Sequence, residues 1–256
     1  MAKAPRRSRK PKNRKLVVIG DMQVPFQDEV EVRWALDVIA DLKPDDVVVN
    51  GDLIDIEGLS PDGEAKKDYR DEMIEGCRIL EDLRSVVPSK STLYYTEGNH
   101  EQRIRRKGGR VAPYLRQALD WRNQRGCEEL DHWHMSPYKF RRSAILRFGG
   151  IYVWHGKKVG ANAGELEAFQ VAELMGGGYD GRLYVRGHTH APIQPRKCHR
   201  TRNIPVSLYH ANHGTLCKGA DMEWCESNDI SGWAPGVFYA EYDEKGISWD
   251  AEVITE

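Results

Sequence analysis

Five short polar clusters lie along this chain, and together they carry enough oxygen and nitrogen donors to hold two divalent cations side by side. They are Gly20-Asp21-Met22-Gln23, Gly51-Asp52-Leu53-Ile54-Asp55, Gly98-Asn99-His100-Glu101, His155-Gly156 and Gly187-His188-Thr189-His190. A single Asp, Asn or His of this kind is ordinarily a turn former or a helix cap. Five in series are hard to explain as accidents of core packing.

Each cluster follows an apolar run that reads as a buried strand, at 16–19, 47–49, 93–95, 151–154 and 183–185. A ligand just past a strand's carboxyl end stands on a rigid base and faces the open crevice of an α/β sheet. Between the strands, 29–42 and 69–85 show apolar residues at helical spacing, the first stopped by Pro44. A further strand at 144–148 meets the strand at 151–154 through Gly149-Gly150, a hairpin turn. Residues 164–175 read as a helix ended by Gly176-Gly177-Gly178, since the triple glycine lacks the Lys-Ser/Thr ending of a nucleotide loop. The segments 236–242 and 247–253 around Glu244-Lys245-Gly246 form a hairpin expected to complete the second sheet. The βαβαβ rhythm with short connections predicts a mixed α/β sheet.

From about Leu16 to the carboxyl terminus the chain resembles the calcineurin-like metallophosphoesterases, whose motifs run Asp-x-His, Gly-Asp-x-x-Asp, Gly-Asn-His-Asp/Glu, a lone His and Gly-His-x-His. All five occur here in that order, and Asn212-His213-Gly214-Thr215 stands where members carry an Asn-Pro-Gly-Ser turn. One place departs: Gln23 occupies the position of the first motif's His. The resemblance implies a four-layer α-β-β-α sandwich of two mixed sheets flanked by helices, with a helical, basic insert at about 102–142 that shapes the substrate cleft. It also implies two divalent transition-metal ions bridged by Asp52. Asp21, Gln23 and His190 would complete the first site, and Asn99, His155 and His188 the second. Two cations roughly 4 Å apart would neutralise the phosphate oxygens and lower the pKa of a shared water. Mixed carboxylate, amide and imidazole donors suit manganese first, with iron, zinc or nickel as alternatives. A neutral amide oxygen from Gln23 makes the first site the weaker one. In the family His100 faces the ester and protonates the departing oxygen, and Asp55 resembles the carboxylate that orients it.

The near-zero net charge hides an asymmetry, because residues 1–15 hold eight Lys or Arg and no acid. That segment reads as a disordered basic tail, either a polyanion arm or a solubilising tail, ahead of one domain over 16–256. The insert carries eleven basic and four acidic side chains, an excess of seven positive charges, and about half of these are expected only to solvate helix faces. One helical stretch is expected at about 114–124. Arg103, Arg105 and Arg106 directly follow the third motif and are read as substrate-binding.

No apolar run approaches the roughly 20 residues that span a bilayer, and no signal peptide follows the basic start, so a soluble cytoplasmic protein without membrane contact is expected. Five cysteines without paired close spacing favour reduced thiols. His210 and His213 with Cys217 and Cys225 match no common structural zinc pattern. His132 and His134 read as surface or cleft residues, and Trp133 as core.

Phosphodiester cleavage in DNA or RNA, similar to the nuclease subunit of double-strand-break repair complexes, is the leading expectation for activity. A phosphomonoesterase or small-nucleotide phosphodiesterase is the alternative. A phosphoprotein substrate is disfavoured, because the family's phosphate-gripping arginines are replaced by Ile56-Glu57-Gly58 and by Glu97. A binding scaffold without catalysis would have no chemical use for His100.

Overall fold

The structure is a computed structural model, and it describes residues 13–56, 68–104, 106, 120, 123, 125–199, 207–222, 225 and 230–256. Its first sheet contains β1 (Arg14–Ile19), β2 (Asp46–Asn50), β3 (Thr92–Thr96), β4 (His134–Ser136), β10 (Val237–Tyr242) and β11 (Trp249–Ile254). Their order is β11-β10-β1-β2-β3-β4. The second contains β5 (Leu146–Phe148), β6 (Ile151–Val153), β7 (Arg182–Arg186), β8 (Ile193–Lys197) and β9 (Leu208–Asn212), in the order β5-β6-β7-β9-β8. Both are mixed. β1 to β4 run parallel, β10 runs antiparallel to β1 and β11 antiparallel to β10, and β6, β7 and β9 run parallel between antiparallel β5 and β8.

The layering follows from the period of two along each strand. In β1, Leu16 and Val18 point into an apolar layer shared with Val153 of β6, Leu183 and Val185 of β7 and Phe238 of β10, so the two sheets face each other. Val17 and Ile19 point the other way, onto α1 (Glu29–Leu42) and α2 (Tyr69–Val86) through Ala35, Ile39, Met73 and Leu80. Behind the second sheet, Tyr152, Tyr184 and Leu208 meet Ala168, Val171 and Met175 of α3 (Ala163–Met175). The result is an α-β-β-α sandwich.

Local signals set the helix ends. Asp28 caps α1 by accepting from the Val30 N–H at 3.0 Å, and Asp68 caps α2 through the Arg70 N–H at 2.8 Å. Gly176 closes α3 in the left-handed conformation at φ 66°, donating to the Ala172 and Glu173 carbonyls, so the triple glycine is a helix stop.

The structure corrects the hairpin's place: β10 and β11 join the first sheet beside β1, not the second. The reason lies in β1, which is buried on both faces and needs a partner along each edge for its backbone groups. β2 supplies one and β10 the other, in the register Leu16↔Ala240. Arg14 and Lys15, read with the basic tail, are the first residues of β1, and Arg14 forms a two-pronged pair with buried Asp46 at 2.8 and 2.9 Å. Residues 1–12, Arg105 and nearly all of the helix expected over 114–124 lie outside the described residues. Among the described residues no helix is long and apolar enough to cross a membrane.

Candidate metal centre

The five polar clusters all emerge at one end of the sandwich, after β1, β2, β3, β6 and β7. Backbone bonds hold the first two loops in register: Asp21 N–H to Gly51 O at 3.0 Å, Gln23 N–H to Asp52 O at 2.9 Å and Val24 N–H to Leu53 O at 2.8 Å. Glycine permits this convergence. Gly51 sits at φ 82°, and a Cβ there would stand 2.7 Å from His155 Nδ1; a Cβ on Gly98 would enter the Asp52 carboxylate.

The donors fall into two groups that share Asp52. In one, Asp52 Oδ2 lies 3.0 Å from His155 Nε2, and His155 Nε2 lies 3.2 Å from Asn99 Oδ1. Ligand atoms of Asp52, His155 and His188 all lie within 4.8 Å of one another. In the other, Asp21 Oδ1 is 3.1 Å from His190 Nε2, and the Gln23 amide is 3.5 Å from both His190 Nε2 and Asp52 Oδ2. The side chains that the motifs single out thus lie near one another, in two groups around Asp52. Five of them, Asp21, Gln23, Asp52, His188 and His190, hold left-handed φ values of 50–68°. Such backbone costs about 1–3 kcal/mol per residue and persists only where surrounding contacts impose it.

The donor set fits divalent cations. Gln23 is fully buried and its Oε1 has no hydrogen-bond partner. Its Nε2 faces the Asp52 oxygen and the His190 nitrogen, and turning the amide over would place Oε1 there instead, a third acceptor against two others. With Oε1 turned that way, a cation bound among these atoms would take all three as donors. His155 is oriented for the same task, since its Nδ1–H donates to Asn50 O at 2.7 Å and leaves Nε2 toward Asp52.

Electrostatics differ across the two imidazoles of the second group. Burial pulls His155 down, but Asp52 and Asp21 outweigh it and push it up to about 10. Burial and the charge on His155 push His188 down to about 4, leaving it a neutral donor. Buried Asp52 is held ionised against its desolvation by His155 and His100.

His100 lies on the other side of Asp52. Its backbone N–H donates to Asp52 Oδ1 at 2.9 Å, its Nε2 is 3.7 Å from Asp52 Oδ2, and its Nδ1 is 2.6 Å from Asp55 Oδ1. Burial lowers the His100 pKa, but Asp52 and Asp55 more than reverse that, so the ring is poised to carry a proton. Arg103 reaches the same place, donating to Asp55 O at 2.7 Å with Nη2 3.3 Å from His100 Nε2. Arg106 is exposed and does not line the cavity that opens over the centre, which has a volume of about 430 Å³ and includes Arg103 in its wall. His132 and His134 are exposed and Trp133 is buried.

Sequence reasoning missed the residues that fix this arrangement. Glu101, read only as a motif letter, accepts from the backbone N–H groups of Asp52, Leu53, Ile54 and Gly98 and from Tyr95 OH, tying the second loop to the third. His213 forms no zinc cluster with His210, Cys217 and Cys225 among the described residues. It stands behind the first group, 3.8 Å from Asp21 Oδ2 and 3.3 Å from Asn50 Nδ2. The Asn212–Thr215 turn is a support for the ligand loops: Asn212 Nδ2 donates to Gly187 O and Thr215 Oγ1 to Asp21 O.

Gln23 leads to a direct test. Gln23→His should tighten the first site by at least the roughly ten- to hundredfold that even an outer-shell partner is worth. Calorimetric titration with Mn²⁺ or Zn²⁺ and metal content after dialysis would measure this. Equal affinities and equal retention in both proteins would remove Gln23 as the weak point.

Residues 14–192 match the sequence profile of the calcineurin-like phosphoesterase family. The chain is 35% identical over 97 residues to the Gene 54 protein of Mycobacterium phage L5, a match covering 36% of this chain and 37% of that protein. It therefore spans little more than a third of that relative's length. Among solved structures, vacuolar protein sorting 29 of Cryptosporidium parvum is similar with a TM-score of 0.46 at 14% identity, covering 96% of this chain and 100% of that one. Wild-type Vps29 of Entamoeba histolytica complexed with zinc gives a TM-score of 0.45 at 14% identity, covering 94% and 98%.

Proposed function

Because the chain belongs to the calcineurin-like phosphoesterase family, we propose that it hydrolyses phosphodiesters of nucleic acid with two divalent transition-metal ions, manganese first. The observation that carries this reading is Asp52 set between two donor groups with His100 on its remaining side. Bound there, the cations would supply charge neutralisation at the phosphate and an activated water. Asp21, Gln23, Asp52 and His190 would hold one and Asp52, Asn99, His155 and His188 the other. The chain's own contribution is orientation and proton transfer: Asp55 fixes the His100 ring, which would pass a proton to the departing oxygen.

A polyanionic substrate is favoured by the positive charge around the opening. Arg103 stands in the cavity wall, Arg106 is exposed one turn on in the chain, and Lys157, whose ammonium lies over the Phe140 ring, and Lys158 precede Val159 of the cavity lining in sequence. A small-nucleotide phosphodiesterase or phosphomonoesterase is the second reading, favoured by the engagement of Arg103 with Asp55, which draws that guanidinium inward.

The deciding experiment is a manganese-supplemented panel of bis-p-nitrophenyl phosphate, p-nitrophenyl phosphate and labelled oligonucleotides, with Asp52→Ala as control. Four cationic side chains on a single strand would give log affinity against log salt a slope of about −3. Weak, salt-insensitive oligonucleotide binding would shift the reading to the small substrates.

A further inference from the structure

The cavity has a polar floor of metal donors and His100, but its rim carries two apolar side chains that the hydrolytic chemistry does not use, Val159 and Trp233. An exposed valine is ordinary by itself. This one, 76% exposed, is carried on a braced loop. Glu167 Oε1 accepts the N–H groups of Lys157 and Lys158 at 2.8 and 2.7 Å, and Arg186 donates to Lys158 O at 2.7 Å. Glu167 and Arg186 pair at 3.3 Å and are themselves almost fully buried. The rim is therefore fixed from beneath rather than left as a mobile loop tip.

Trp233 is held as firmly from another part of the chain. Its ring meets His190 edge-on with centroids 4.0 Å apart and packs beside Phe26, Met222 and Cys225. Gly219 makes room for it, since a Cβ there would lie 2.7 Å from the indole. The Ala234 N–H donates to His190 O at 3.3 Å, which keeps the indole in step with the metal-ligand loop. A large aromatic ring, half-buried, set against His190 of the first group and lining the cavity, stands beside the place where a phosphate would sit.

We infer that Trp233, aided by Val159, is the seat of a nucleobase attached next to the scissile phosphate. This deepens the reading of the site as a phosphodiesterase of nucleic acid and rests on it. A base has a π-face to lay against indole, and such stacking tolerates any base sequence. A sugar or aliphatic ester gains far less from the same wall.

Equilibrium binding to the manganese-loaded protein, followed by calorimetry at low temperature, tests this with thymidine 5′-monophosphate, phenyl phosphate and methyl phosphate. The wild type should bind the nucleotide about ten- to a hundredfold tighter than methyl phosphate. Trp233→Ala and Trp233→Leu should remove that advantage, and Trp233→Phe should retain most of it. The leucine variant keeps apolar bulk on the Phe26 cluster, so it separates loss of the flat ring from loss of folding. The inference is overturned if the wild type shows no nucleotide preference, if the preference survives in both Trp233→Leu and Trp233→Ala, or if phenyl phosphate matches the nucleotide. Its fate is separable from that of the hydrolase reading: hydrolysis with no Trp233-dependent preference rejects this inference alone, and a Trp233-dependent preference without hydrolysis rejects the other.

Discussion

Asp52→Asn is expected to lower turnover of bis-p-nitrophenyl phosphate by about ten-thousandfold while the protein stays folded. The amide is nearly isosteric and its oxygen can still accept from the His100 N–H, which Asp52 Oδ1 does now at 2.9 Å. What the variant loses is the negative charge that both donor groups share, through His155 at 3.0 Å and Gln23 at 3.5 Å. Two cations held close together repel one another, and a bridging carboxylate is what offsets that repulsion. Removing about 5 kcal/mol of transition-state stabilisation corresponds to a factor of about ten thousand. Turnover, metal content and thermal unfolding measured together separate the outcomes. A folded Asp52→Asn protein that retained two metals per chain and turned over within tenfold of the wild type would show that the centre is not built around this residue.

The parts of the centre that were legible in the sequence are those that combine a chemical type with a chain position. Asp21, Asp52, Asn99, His155, His188 and His190 each follow a strand, and parallel strands deliver their carboxyl ends to one side of a sheet, so a linear pattern becomes a spatial cluster. Residues that act from outside that pattern were not legible. Glu167 sits on α3 and Trp233 in a loop far along the chain, and their roles follow from which backbone groups and rings the fold sets against them. Arg103 reads from sequence as a substrate contact, and only the structure shows it anchored on Asp55. Among the strands, β8 escaped notice because Gln194, Pro195, Arg196 and Lys197 break any apolar pattern, as suits an edge strand. β9 escaped because His210 and Asn212 interrupt its short apolar run, although both are buried against neighbouring polar groups. The hairpin of β10 and β11 was legible as a hairpin but not as a neighbour of β1, since local pattern says nothing about which distant edge a strand will cover.

His100→Ala should separate the proton-transfer role from metal binding. His100 is joined to the centre through its backbone N–H on Asp52, a bond that alanine keeps, so cation affinity should stay within a few fold. Contacts on both nitrogens hold the imidazole: Asp55 Oδ1 at 2.6 Å fixes Nδ1, and Nε2 stands near Asp52 Oδ2 and Arg103. Both carboxylates favour the protonated ring, which is the state needed to protonate a departing oxygen. General acid catalysis is worth about a hundred- to ten-thousandfold when the leaving group is a poor one and little when it already departs easily as an anion. The loss in His100→Ala should therefore be near that range for an alkyl ester such as a dinucleotide and small for a p-nitrophenyl ester, steepening the dependence of rate on leaving-group pKa. Asp55→Asn should reproduce the same tilt at smaller size, about ten- to a hundredfold, because it disturbs the orientation of the ring and not its presence. An equal loss on both ester types would place His100 in substrate positioning instead of proton transfer, and no loss on either would remove it from the reaction.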